Sequence, residues 1–111
     1  METNRQKKVS SLLQKEMSII FQQSGNAFLN TIITVTVVRL SPDLGSAKVY
    51  LSIFPKDKQQ DVYELVDQKN KELRYELGKR IKNQIRKIPE LHFYIDDSLD
   101  YAEHIFELLK K

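Results

Sequence analysis

Two runs of strand-like sequence, held apart by a single short turn, constrain this chain more than any other feature. Residues 32–40, IITVTVVRL, are β-branched and partly alternating. Residues 47–53 alternate more cleanly, with Ala47, Val49, Leu51 and Ile53 on one side and Lys48, Tyr50 and Ser52 on the other. Between them, Ser41-Pro42-Asp43-Leu44-Gly45 supplies turn chemistry, because proline presets φ and glycine permits φ above zero. The two runs therefore form a hairpin with a bulged or longer loop.

Helical periodicity flanks that hairpin. Thr3 or Asn4 caps a first helix in which Val9, Leu12, Leu13, Met17 and Ile20 share a face, and Gly25 is a suitable stop. Pro55 ends the second strand, and Val62, Leu65, Val66, Leu73 and Leu77 form a helical stripe from about Asp57 onward. Gly78 interrupts this stripe. A glycine inside a helix costs about 1 kcal/mol relative to alanine, so it marks a kink or a close backbone approach. A second, basic helix then runs on from Gly78, with Leu77, Ile81, Ile85 and Ile88 on one stripe, until Pro89 closes it. Leu91, Phe93 and Ile95 alternate with His92 and Tyr94 as a third strand. Ser98 caps a last short helix whose apolar face is Ala102, Ile105, Phe106 and Leu109. The order is α-β-β-α-kink-α-β-α. A hairpin followed by a two-helix crossover to a third strand gives an α+β fold with its helices on one face of the sheet.

Residues 1–111 read as one domain, with 41% apolar residues for a single modest core and no repeat or linker. Cysteine is absent, which excludes disulfides and thiolate chemistry. No apolar run approaches the roughly 18 residues of a membrane span, and charge interrupts the Met1 end throughout, so a soluble cytoplasmic protein is expected. Charge is segregated along the chain. Residues 56–90 hold ten basic against seven acidic residues, whereas 91–111 hold two against five.

The basic segment is the candidate site. Lys79, Arg80, Lys82, Arg86 and Lys87 fall within nine residues that contain no acid. Lys79, Lys82, Asn83 and Arg86 lie opposite the apolar stripe, so one face can anchor the segment while the other meets a polyanion. Each Lys or Arg that neutralises a phosphate releases counterion, and arginine adds bidentate geometry. If the helix breaks at Gly78, the N–H groups of Gly78, Lys79 and Arg80 also face a phosphate. Arg74, one turn earlier, either reaches the same phosphate or pairs with Glu72 or Glu76. The candidate polyanion-binding set is thus Arg74, Gly78, Lys79, Arg80, Lys82, Asn83, Arg86 and Lys87, with an ordinary solvated helix face as the alternative.

Other side chains are weighed and left outside that set. Arg5, Lys7, Lys8 and Lys15 suit either an extended binding surface or the solvent face of the first helix. Arg39 and Lys48 flank the hairpin as solvent-facing or cross-strand residues. Tyr50, Tyr94 and His92 offer stacking surfaces for bases or simply cover a sheet edge. Asp96, Asp97 and Asp100 with His104 sketch a weak metal constellation, but capping of the last helix accounts for the carboxylates. No P-loop, nucleophile elbow or Gly-rich cradle is present. No enzyme activity, metal or cofactor is expected.

Three segments together resemble the ribosome-binding factor A family, bacterial factors in small ribosomal subunit maturation. They are VRLSPDLGSAKVYLSIFP (38–55), LRYELGKRIKNQIRKIPEL (73–91) and FYIDDSLDYAEHIFELL (93–109), which with the helical start cover nearly the whole chain. The resemblance implies a type II KH-like domain with a three-stranded sheet, in which a helix-kink-helix replaces the GxxG loop. The sequence has no GxxG, and Gly78 is its only glycine between the two helices. The resemblance further implies a monomeric, non-enzymatic assembly factor, relevant to growth in the cold. Such a factor binds the free small (30S) subunit and its 16S rRNA and assists late maturation, including 5′-end processing. Two other readings compete with it. One is a protein-interaction module without RNA contact, docking by a sheet edge or the acidic last helix. The other lays residues 5–20 on an anionic membrane, against which Ser10, Ser11 and the lack of tryptophan argue.

Overall fold

The computed structural model describes residues 3–96, so the last short helix and the carboxylates beyond Asp96 lie outside the described residues. Helix α1 spans Asn4–Gln23 and begins with a capping box. The Thr3 hydroxyl accepts from the Gln6 N–H at 3.1 Å, and the Gln6 side chain accepts from the Thr3 N–H at 2.7 Å. Val9, Leu13, Met17, Ile20 and Phe21 are its buried stripe, as the helical spacing predicts. After Ser24 one 3-10 turn, Gly25–Phe28, and two left-handed residues, Leu29 and Asn30, bring the chain into the first strand.

Strands β1 (Ile32–Leu40) and β2 (Ser46–Phe54) form the expected antiparallel hairpin. A bulge between Val35 and Val37 explains why the first run alternates only partly. The bulge leaves two carbonyls for α1 to satisfy. Gln14 Nε2 donates to Val35 O at 3.0 Å and to Thr36 O at 3.2 Å. In the hairpin loop the left-handed residue is Leu44, with φ 61°, and not Gly45 as the turn chemistry suggests. Leu44 takes that conformation while packing against the core. Gly45 serves proximity instead: its N–H donates to the Asp43 carboxylate at 2.9 Å, and a Cβ there would sit 3.2 Å from both carboxylate oxygens.

A 3-10 turn at Lys56–Lys58 leads into α2 (Gln59–Gln68) and α3 (Asn70–Ile81). The two-helix crossover delivers β3 (Glu90–Ile95) parallel to β2, giving sheet order β1-β2-β3. The kink between the helices lies at Lys69, which corrects the expectation at Gly78. Lys69 relaxes to φ −94°, ψ 13°, with bonds across it from Lys69 N to Leu65 O and from Leu73 N to Lys69 O. Asn70, a weak helix former, turns its side chain out of the helix frame and donates to Leu91 O at 2.9 Å.

Helix α3 runs through Gly78 without a break and ends at Ile81 rather than at Pro89. Residues 82–89 are a turn and a loop. The chain must reverse there so that β3 can start beside the hairpin loop, where Glu90 N donates to Gly45 O at 3.0 Å. Proline at 89 also disfavours helix at Ile88. Ile85 and Ile88 still pack against the core, reached from the loop and not from a continuous helix.

All three helices cover one face of the sheet. The core joins α1, Val62 and Val66 of α2, Leu73, Leu77 and Ile81 of α3, and the inward residues of each strand. Phe21 meets Phe28 and Phe93 edge-on, with ring centroids 5.6 and 6.2 Å apart. Among the described residues no helix is long and apolar enough to cross a membrane.

Candidate nucleic-acid interface

The sequence of α3 writes distinct stripes onto one cylinder. Leu73, Leu77 and Ile81 point into the core, and Lys71, Arg74, Gly78 and Lys82 recur at helical spacing on another side. That second stripe is one wall of an open groove of about 980 Å³. The loop at 86–88 and the start of β3 form the rest of it. Six of the eight candidate residues meet there: Arg74, Gly78, Lys79, Lys82, Arg86 and Lys87. Lys71 and Tyr75 join them from α3, and Glu90 and His92 from β3.

The groove is strongly one-signed. Six cations line it, and Glu90 is its one carboxylate among the described residues. Lys79 lies 3.5 Å from Glu76 and 5.3 Å from the centre of the Tyr75 ring, exposed contacts of small energetic weight. Lys71, Lys82 and Arg86 have no carboxylate within ion-pair distance among the described residues. Their field is therefore directed outward, as binding a polyanion requires.

Arg74 pairs with neither Glu72 nor Glu76. Its Nε donates to Pro89 O at 3.1 Å and Nη2 to Ile88 O at 2.6 Å, which ties the far end of the basic loop to α3. The guanidinium is thereby fixed in place by its fork. Gly78, inside a regular helix, is where Ile88 packs: a Cβ at 78 would lie 3.4 Å from Ile88 Cγ1. Neither role proposed for this glycine is realised in full: the helix does not kink there, and a Cβ would meet Ile88 at ordinary contact distance. The N–H groups of residues 78–80 belong to an unbroken helix and are not presented as a helix start.

Two candidates lie elsewhere. Arg80 faces α1, where its Nε donates to Glu16 Oε2 at 2.5 Å. Asn83 is exposed in the turn after α3, outside the groove lining. Two further basic residues adjoin the site: Lys71, absent from the candidate set, and Arg5, which the sequence leaves between a binding surface and a solvent face. Lys71 lies one turn before Arg74 and its position on the groove stripe is readable from spacing, whereas Arg5 depends on tertiary structure. Arg5 shares a small cleft with Asp43, Arg86 and Lys87 at the hairpin end of the basic loop. There the Asp43 carboxyl is held below the usual carboxylate range by the Ser41 hydroxyl, by the Gly45 N–H and, more weakly, by Lys87. Of the residues in the weak metal constellation only Asp96 is described, and its carboxylate accepts from the Thr36 hydroxyl.

Comparison with known proteins agrees with this architecture. The family model described as ribosome-binding factor A matches residues 5–109. The ribosome-binding factor A of Cytophaga hutchinsonii is 47% identical over 112 residues, covering 100% of this chain and 84% of its own length. The crystal structure of ribosome-binding factor A from Thermus thermophilus superposes with a TM-score of 0.69 at 22% identity, covering 81% of this chain and 94% of that one. A homology model of the Thermus thermophilus factor, fitted into a cryo-EM map of its complex with the 30S subunit, gives 0.65 at 21% identity, covering 79% and 91%.

Proposed function

The chain belongs to the ribosome-binding factor A family, and from that premise we propose that it binds the free small ribosomal subunit through 16S rRNA, using the groove between α3, the basic loop and β3. The observation that carries this reading is the row of Lys71, Lys82 and Arg86, cations without carboxylate partners among the described residues along one open groove. The Thermus relative's complex with the 30S subunit supports the choice of partner.

Recognition is by shape and phosphate. Lysines supply charge without base-edge geometry, Arg86 can grip a phosphate with two N–H groups, and Arg74 presents a fixed cation at the groove wall. In this role the protein acts by holding rRNA in an immature conformation and performs no chemistry of its own. It assists late maturation, including processing of the 5′ end, in the cytoplasm and as a monomer.

The test is co-sedimentation with free small subunits. Wild-type protein is expected to travel with them at physiological salt, and the double variant Lys82→Glu, Arg86→Glu to remain largely in the supernatant. Equal association of the two proteins would remove the groove from the interaction.

A further inference from the structure

The face of the sheet turned away from the helices carries its own pattern. Across all three strands, in register, run Arg39, Lys48 and His92. The next outward row, about 6.7 Å along the strands, is Val37, Tyr50 and Tyr94. Tyr50 and Tyr94 stack, with ring centroids 5.5 Å apart and planes 29° from parallel. Tyr94 is 41% exposed and Val37 36%.

The Tyr50–Tyr94 pair stabilises the sheet by itself, but stability does not account for the cationic row beside it. Arg39 and Lys48 are directly cross-strand, and like charges in that position destabilise a hairpin. Neither has a carboxylate partner among the described residues. Of the carboxylates near these rows, Glu90 lies 4.0 Å from His92 at the β3 end of the cationic row, and Asp96 accepts from the Thr36 hydroxyl; neither reaches Arg39 or Lys48. An aromatic row beside a cationic row complements a strand that offers bases and phosphates in alternation. Tyrosine and arginine also suit a protein partner, but interface cores are depleted of lysine, so the paired Arg39 and Lys48 favour a polyanion. His92 belongs both to this face and to the lining of the basic groove, so the two surfaces are continuous around the edge of β3.

We propose that the sheet face left open by the described helices is a second RNA surface, where an unpaired segment stacks bases on Tyr50 and Tyr94 while Arg39 and Lys48 neutralise its phosphates. This rests on the reading of the protein as an RNA binder and adds that it takes a single strand emerging from the groove. It gives the molecule two kinds of contact. The groove reads backbone shape, and the sheet face requires bases free of pairing.

The full chain has no tryptophan, so Tyr94→Trp installs a single reporter on this face. A single-stranded oligouridine is expected to quench the emission of the introduced indole on binding. Tyr94→Ala should weaken that oligonucleotide about tenfold, the scale of one lost base stack. Tyr94→Phe should bind like the parent. An RNA hairpin with a blunt stem should bind Tyr94→Ala normally and lose affinity only with Lys82→Glu, Arg86→Glu. Unchanged indole emission at saturating oligouridine overturns the proposal and leaves the groove intact. Quenching by RNA-free small-subunit proteins but not by oligouridine also overturns it, assigning the face to a protein. Failure of the wild-type protein to bind either RNA removes both surfaces together.

Discussion

Gly78 shows how one residue can be noticed correctly and explained incorrectly from sequence. Its cost inside a helix signals a constraint, yet a glycine that bends a helix and one that admits a neighbour leave the same trace. The neighbour is Ile88, whose Cγ1 would sit 3.4 Å from an added Cβ, an ordinary contact distance. Gly78→Ala should therefore fold and gain up to about 1 kcal/mol from helix propensity, read as a raised midpoint in thermal unfolding. A large loss would mean that Ile88 cannot yield even slightly.

Asp43 gives a second expectation at this scale. Its folded pKa lies below the ordinary value of 3.8, first because the Ser41 hydroxyl and then because the Gly45 N–H favour the charged form. A depressed carboxylate contributes stability above its unfolded pKa and loses it as pH falls through the folded value. The Asp43 carboxyl should accordingly titrate below 3.8 by NMR. Asp43→Asn should remove this contribution to acid sensitivity.

Some limits of the elements were legible from a local signal, although Pro89 misplaced the end of α3, which is Ile81. The Thr3 or Asn4 cap, the turn at 41–45 and Pro55 each carry such a signal. The break at Lys69 carries neither glycine nor proline, because it is imposed by Asn70 reaching Leu91 O, 21 residues away. The end of α3 is likewise dictated by where β3 must begin. The same holds for the site: the cationic stripe could be read from spacing, but the partner of Arg80 lies 64 residues distant on α1. That pair, with side chains 33% and 14% exposed, joins two helices. Arg80→Ala should cost on the order of 1 kcal/mol in urea unfolding, discounted for its partial exposure, and should barely alter RNA affinity. An affinity loss comparable to that of Lys82→Ala would place Arg80 on the RNA after all.

For the molecule as a whole, the quantity to measure is the salt dependence of binding. A net charge of +3 understates the field, since the groove gathers six cations around one carboxylate among the described residues. Affinity for subunit RNA should fall linearly on a log–log plot against salt. Reversing Lys82 and Arg86 should flatten the slope by roughly two if each meets one phosphate. An unaltered slope would show that the affinity comes from another surface.

Arg74 decides whether such a titration can be interpreted. Because it closes the loop on the carbonyls of Ile88 and Pro89 and not on a carboxylate, the clasp neutralises none of the groove's charge. A charge held by dipoles is also far less exposed to competition from ions than a surface ion pair would be. The receptor should therefore keep its shape across the very salt range that strips the ligand away, and the slope should count phosphates released and not a groove coming open.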